Sequence, residues 1–483
     1  MKSLTTIFKT TIFRYAMAGG TASLVDVLLF NLLVYKSSIH YIAAIVVSST
    51  ISFFLRFFLQ KRAFGASSRT DTRTQFVLYT ALFAISVGLT AALMYVFVDL
   101  VHIQKSIAQI ISILLVAIFC FFTYRHVIFP AGRVKSGQIK KLLIITQKVD
   151  RDDPVLGFFH KWVEEMSKKF ESIIVICLEK GRSELPENVK VLSLGKEERQ
   201  SRLQYIIHFY WYILSEKKNY DAVFVHMNQQ YVVLGACVWK ALHKSIYMWR
   251  NHVAGSLTTK LAVRLCDKVF CTSEFSYTAR YKKAVIMPVG VNTNLFKKEL
   301  ETTKIPKSIL FLSRMAPIKK PDMVIEAFSE MKSRGVDFRA SFYGDPSPRD
   351  VAYYDTLKKK IVENGLSESV ALHAGISNSE TVSVYNSHEI FVNLTPSGSY
   401  DKTIFEAMAC ETLILASNRS LYGLVHEDFI FKEGDIADLT GKLEKLLTLS
   451  VEERLERGKE LRATVVESHS LEKLIEKFSK HII

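Results

Sequence analysis

Four apolar runs of about 20 residues each, at 15–35, 41–59, 75–98 and 107–128, fill the first quarter of this chain, and each is long enough as a helix to cross about 30 Å of hydrocarbon. The expectation is a multi-pass α-helical membrane domain of four spans over residues 1–135. No small-residue cleavage site follows the first run, so it is not read as a removed leader. Lys2, Lys9 and Arg14 precede it, Lys61, Arg62, Arg69 and Arg73 fill the loop between runs two and three, and Arg125, Arg133, Lys135, Lys140 and Lys141 follow the fourth. The two opposite loops hold Lys36 and Lys105. The positive-inside bias then places both termini in the cytoplasm, with the chain in a plasma or inner membrane. SFFLRFFLQKRAF closes run two and CFFTYRHVIF closes run four, an echo that fits either a duplicated hairpin or an interfacial anchor used twice. Asp26 falls mid-span, where an ionised carboxylate costs at least ~2.5 kcal/mol, so it calls for a polar partner inside the bundle. Arg56 is the candidate cation; a structural pair and a polar-ligand site both stand.

A chain of 483 residues exceeds one ordinary core, so two or three domains are expected. The net charge of +16 is compatible with nucleic acid, an anionic membrane surface or phosphorylated substrates. No helix-turn-helix, zinc-finger or RNA-binding signature accompanies it, which leaves the membrane and phosphate readings. Six cysteines without C-x-x-C spacing give neither a disulfide framework nor a metal site.

After a basic linker the pattern alternates strand and helix: KLLIITQ, GFFHKWVEEMSKKF, SIIVICLEK, DAVFVHM, KVFCTSE, then a second start at SILFLSRM and PDMVIEAFSEMKSRG. This predicts two tandem Rossmann-like domains, 139–302 and 303–465, with a cleft between them and an amphipathic C-terminal helix over 466–483 able to cross back to the first. Ligands in such sheets bind at the carboxyl ends of strands, where helix N-termini offer free amides to phosphate. Arg314 and Lys319 follow one such strand. The stretch SGSYDKTIFEAMAC, residues 397–410, turns from a small polar loop into a helix, with Gly398, Ser399, Tyr400, Asp401 and Lys402 before Glu406. Alone, two cations after a strand are solvated charges; beside this loop they suit a diphosphate. RLQYIIHFYWYIL is aromatic for a helix packed on a sheet and would also suit the headgroup layer.

FRYAMAGGTASLVDVLLFNLLV, with its aromatic-basic start, glycine pair and mid-span aspartate, resembles the first helix of the GtrA-like membrane family. That resemblance, over about residues 10–130, implies the handling of polyprenyl-phosphate-linked sugars. ILFLSRMAPIKKPDMVIEAF, GVNTNLF, FYGD, HAGISNSETVSVYNSHEIFVNLTPS and FEAMACETLILAS, in that order, resemble the GT-B glycosyltransferases of family 4 over about residues 140–465. This second resemblance implies transfer of a sugar from a nucleotide-sugar donor with retention, without a bound metal or other cofactor. By it, Arg314 and Lys319 neutralise the departing diphosphate, Glu406 holds the ribose, His252 stands beside the reacting sugar, and Gly157 lies in the first strand-to-helix loop near donor phosphate and acceptor. The family's first carboxylate would fall on Gly398, and Asp401 and Lys402 are the nearest polar substitutes; Asp401 could meet the sugar or cap the helix. Glu411 and Leu413 replace a small residue and a proline. The expected function is a membrane-bound glycosyltransferase acting on a lipid-linked or membrane-associated glycan acceptor in cell-surface glycan synthesis, with no nucleic acid partner. The competing expectation is a translocator of lipid-linked sugar whose soluble part is an inactive donor-binding sensor or loader.

Overall fold

The computed structural model describes residues 4–33, 41–64, 72–124, 128, 139–153, 156–397 and 400–483. Lys2, Lys36, Arg69, Arg125, Arg133, Lys135, Gly398 and Ser399 lie outside the described residues, as do the side chains of Lys9, Arg73 and Lys105. The chain divides into two compact units, residues 1–137 with 236–244, and residues 138–235 with 245–483.

The first unit carries α1 (Leu4–Asn31), α2 (Tyr41–Phe64), α3 (Thr72–Tyr95) and α4 (Lys105–Thr123). Helix α1 packs along α2, and α3 along α4. Aromatic rings fill the space inside: Tyr15 lies 5.4 Å from Phe121, and Tyr79 stacks 5.4 Å from Tyr124. The outward faces are also apolar, with Phe13, Leu24, Leu28, Phe83, Leu114 and Ile118 exposed. Side chains at several helix positions, 41–46 among them, are outside the described set, and over the described residues no helix is long and apolar enough to cross a membrane. The four spans expected from the sequence are therefore not established by these helices.

The second unit holds two parallel sheets. Strands β1 (Lys141–Val149), β2 (Ser172–Lys180), β3 (Val189–Ser193), β4 (Ala222–His226), β5 (Ser245–Trp249), β6 (Lys268–Cys271) and β7 (Ala284–Ile286) form the first, in the order β3-β2-β1-β4-β5-β6-β7. Strand β1 is central and buried over five consecutive residues, which is why LLIIT carries no polar alternation. The helices that follow its strands are α5 (Gly157–Ser167), α6 (Arg202–Ser215), α7 (Gln229–Ala241), whose residues from 236 on fall in the first unit, and α8 (Leu257–Leu265). Helix α6 starts at a reciprocal cap between Ser201 and Gln204 and buries Phe209 and Ile213, while Leu203, Ile207, Trp211 and Leu214 stay exposed. One face is thus packed and the other is a bare apolar stripe.

The second sheet has β8 (Ser308–Leu312), β9 (Arg339–Tyr343), β10 (Val370–His373), β11 (Ile390–Asn393) and β12 (Leu413–Ala416), ordered β10-β9-β8-β11-β12. Its helices are α9 (Pro321–Ser333), α10 (Val351–Glu363), α11 (Thr381–Ser387), α12 (Lys402–Ala409), α13 (Ile436–Leu447) and α14 (Val451–Thr464). The last helix, α15 (Leu471–Ile482), buries Leu471, Leu474, Ile475, Phe478 and Ile482 on one stripe and sets Phe478 against Phe224 at 4.7 Å and Phe270 at 5.6 Å in the first sheet. The chain end therefore closes the core of the first lobe.

Gly344, just past β9, sits at φ 148°, and a Cβ there would come 1.9 Å from the Ser313 carbonyl oxygen. Only glycine lets this loop approach the one that carries Arg314. Gly344→Ala should cost about 1–3 kcal/mol through strain and displaced backbone, seen as a lower Tm of the full chain in detergent. An unchanged Tm would show that the two loops part without cost.

Candidate functional site

Strand order reverses beside β8, and the loops leaving β8 and β11 meet there. The β8 loop carries Arg314 and Lys319, and the β11 loop runs through Thr395 to Asp401 and the start of α12. Lys319 Nζ lies 2.6 Å from Asp401 Oδ2 and donates to Thr395 Oγ1 at 2.9 Å; Thr395 Oγ1 in turn donates to Asp401 Oδ2 at 2.7 Å. Asp401 also caps α12, since its Oδ1 accepts from Thr403 N at 3.3 Å and from Thr403 Oγ1 at 2.8 Å. Both carboxylate oxygens are engaged. Burial alone would raise the Asp401 carboxyl; the Lys319 ammonium and the Thr395 and Thr403 hydroxyls outweigh it and hold the group well below the usual carboxylate range. Capping and an ion pair, rather than an open carboxylate, are what this position shows.

Arg314 is exposed, one residue beyond Ser313, whose N–H is tied to Tyr343 O at 3.0 Å. Lys402 turns the other way, toward the first lobe, with Nζ 4.0 Å from the centre of the Phe158 ring and 5.8 Å from that of Trp162. Burial lowers its ammonium to about 8 against the opposing pull of Glu406. Glu406 is 2% exposed: Asn378 Nδ2 donates to Oε1 at 3.2 Å and the Tyr385 hydroxyl to Oε2 at 3.4 Å. Burial raises its carboxyl, with Lys402 opposing. Tyr400 packs on Phe405 at 4.8 Å and donates its hydroxyl to Ser420 O at 2.7 Å, and burial pushes that hydroxyl to about 12. Its polar end is thus committed to the protein.

From the first lobe, Gly157 is the first residue of α5 rather than a loop residue, and a Cβ on it would come 2.9 Å from Arg151 O. His252 is exposed beyond β5, with Nδ1 flanked by the Ala254 amide nitrogen at 2.9 Å and carbonyl oxygen at 3.0 Å. Either tautomer finds a partner on that side. The lobes are tied nearby by Ser273 Oγ to Ser420 Oγ at 2.6 Å, and within the first lobe Trp162 Nε1 donates to Gly290 O at 3.1 Å. In the helical unit, Arg56 Nη2 donates to Ser23 Oγ at 3.0 Å, while buried Asp26 Oδ1 and Arg56 Nε have no hydrogen-bond partner among the described residues.

Two family models match the chain: GtrA/DPMS, transmembrane domain, over residues 14–129, and glycosyl transferases group 1 over residues 292–464. The chain joins a GtrA/DPMS domain to a group 1 glycosyltransferase domain. Among relatives, D-inositol 3-phosphate glycosyltransferase of Mycolicibacterium smegmatis is 31% identical over 111 residues, covering 23% of this chain and 25% of the relative. That of Kineococcus radiotolerans is 24% identical over 154 residues, covering 29% and 35%. The chain thus spans only about a quarter to a third of the length of these relatives. Anabaena Alr3699/HepE, solved in complex with UDP and glucose, superposes with a TM-score of 0.58 at 15% identity over 71% of this chain and 99% of its own. That likeness shows a GT-B-like arrangement of two parallel sheets.

Around the site of the glycosyltransferase domain lie residues that sequence reading did not single out. Thr395 bridges Lys319 and Asp401, Asn378 and Tyr385 hold Glu406, and His226 closes the floor beneath Phe158. The one sequence signal for Thr395 was its place at a strand end. His226 stacks 3.9 Å from Phe159, shares a 3.2 Å hydrogen bond between Nδ1 and Thr146 Oγ1, and is pushed down to about 3 by burial, with Lys402 adding to the effect. It is neutral when folded and titrates near 6.5 when unfolded. Because the unfolded chain binds the extra proton, this group's contribution is present above pH 6.5 and is lost as the pH falls toward 3. His226→Gln should flatten the acid-side fall in Tm over that window; an unaltered pH slope would mean that His226 is not held neutral.

Proposed function

We propose that this chain is a membrane-bound glycosyltransferase that moves a sugar, with retention, from a nucleotide-sugar to a lipid-linked or membrane-associated acceptor. The observation that carries the reading is the Lys319 ammonium held by Asp401 and Thr395 at the meeting of the β8 and β11 loops, with Arg314 exposed on the same loop. Loss of a nucleoside diphosphate from a sugar builds negative charge on the leaving group, and preorganised cations placed there lower the barrier. His252, exposed beyond β5, is the residue set to stand beside the sugar in this reading. The ribose role of Glu406 asks its Oε1 to exchange Asn378 for a ribose hydroxyl. The UDP and glucose held by the Anabaena neighbour place UDP-sugars first in a donor panel.

Two observations support bilayer residence: the match of residues 14–129 to a family described as a transmembrane domain, and the outward apolar side chains of α1 to α4. The exposed stripe of α6, flanked by Arg202, Lys217 and Lys218, suits the headgroup layer. With the full chain in detergent, Arg314→Ala and Lys319→Ala should each lower turnover of the donor that the panel selects by roughly 10²-fold. Near-normal rates in folded variants would remove these cations from the site.

The unpartnered Asp26 Oδ1 and Arg56 Nε also favour a polar-ligand role for the helical unit beyond anchorage. Asp26→Asn should keep donor hydrolysis in reconstituted vesicles but reduce transfer to, or movement of, polyprenyl-phosphate-linked sugar. Wild-type transfer and movement in that variant would leave the unit an anchor.

A further inference from the structure

A cavity of about 530 Å³ opens between the start of α9 and the end of β12, and none of Arg314, Lys319 or Asp401 lines it. Its wall brings together Lys320, Arg419 and Lys432 against one carboxylate, Glu433. At its base Ser417 is 2% exposed, and its buried Oγ has no hydrogen-bond partner among the described residues. A hydroxyl in that state is a standing cost that a ligand oxygen removes. Tyr422, 55% exposed, adds an aromatic wall on which a ring can rest.

The backbone at Lys320 makes the cluster more pointed. Lys320 is the N-cap of α9 yet adopts φ 52°, ψ 45°, the left-handed region where glycine is the unstrained choice. No side chain caps α9, and Asp322 of its first turn is engaged by the Tyr353 hydroxyl at 2.7 Å. The cations are only loosely committed: Lys320 Nζ lies 3.7 Å from Glu433 Oε1 and Lys432 Nζ 3.5 Å from Asp435 Oδ2, while Arg419 rests 5.4 Å from the Phe275 ring. Pairs this long and exposed contribute little, so a doubly charged anion displaces them.

We propose that this cavity is a second anion site, which binds the phosphate of a phosphate-bearing ligand separately from the donor diphosphate. Ser417 Oγ–H and the Lys320, Arg419 and Lys432 cations supply the donors, and Tyr422 takes the body that bears the phosphate. The site stands whether or not the donor reading does.

The test titrates inorganic phosphate into the full chain in detergent, with and without saturating UDP. Phosphate should bind equally in both, weaken roughly tenfold in Lys320→Ala and in Arg419→Ala, weaken in Ser417→Ala, and stay at wild-type strength in Arg314→Ala. Variants whose Tm matches wild type are the ones compared. No phosphate binding, competition by UDP, or a loss confined to Arg314→Ala would overturn the proposal. Failure of UDP to bind would count against the donor reading and leave the phosphate titration still decisive for the cavity. Competition by glucose 1-phosphate assigns a soluble ligand, and competition by polyprenyl phosphate in nanodiscs, but not by phosphatidylcholine nanodiscs, assigns a lipid-borne one. Competition by neither would reduce the cavity to a surface for inorganic anion and overturn the proposal.

Discussion

The loops leaving β8 and β11 in the second sheet are joined by an ion pair, Lys319 with Asp401 at 2.6 Å, and much around it follows from that contact. Lys319 leaves β8 and Asp401 follows β11, so the pair fixes the ends of two neighbouring strands to each other. The same carboxylate caps α12, which ties the orientation of that helix, and of Glu406 one turn in, to the position of the lysine. Each side chain is less than a fifth exposed, so their attraction is weakly screened, and Thr395 and Thr403 satisfy the remaining acceptor capacity. Removing one partner leaves the other as a partly buried unpaired charge, which is the costly case.

This arrangement gives a physical account of how the site stays ordered before a substrate arrives. Lys319 would otherwise be mobile and solvated, and Asp401 holds it in place; under the proposed function this sets a threshold, because an incoming diphosphate would have to outcompete the carboxylate. Lys402, next in sequence, faces the other lobe and sets its ammonium on Phe158, so consecutive residues serve the loop and the lobe contact. Nearby polar atoms are also committed within the protein: His226 Nδ1 meets Thr146 Oγ1, the Tyr400 hydroxyl donates to Ser420 O and Trp162 Nε1 to Gly290 O.

Much of the fold was legible in the sequence because it is local. Buried five-residue runs such as LLIIT and the alternation of strand with helix dictate a parallel sheet, and the pattern of α15 shows its buried stripe directly. The replacement at Glu411 was also visible, and the structure gives its meaning: the residue just past α12 lies at φ 59°, a left-handed stop where a side chain is strained. What sequence could not supply were partners distant along the chain. Whether Asp401 would meet a sugar or a cap was open because the Lys319 that claims it lies 82 residues away, and Tyr400 looked available until Ser420 O was seen to hold its hydroxyl. The helical unit shows the converse. Its apolar runs were plain, but spans are a statement about apolar length that its described helices do not establish.

The central claim is that Asp401 competes with a donor diphosphate for Lys319, and a double-mutant cycle on nucleotide affinity tests it most directly. Isothermal titration of the nucleoside diphosphate selected by the donor panel would compare wild type, Lys319→Ala, Asp401→Asn and the double variant, all as full-length protein. The account predicts weaker binding in Lys319→Ala, tighter binding in Asp401→Asn, and a double variant that behaves like Lys319→Ala, with a coupling energy above about 1 kcal/mol. Additive effects, or an Asp401→Asn variant that binds no more tightly than wild type, would contradict it.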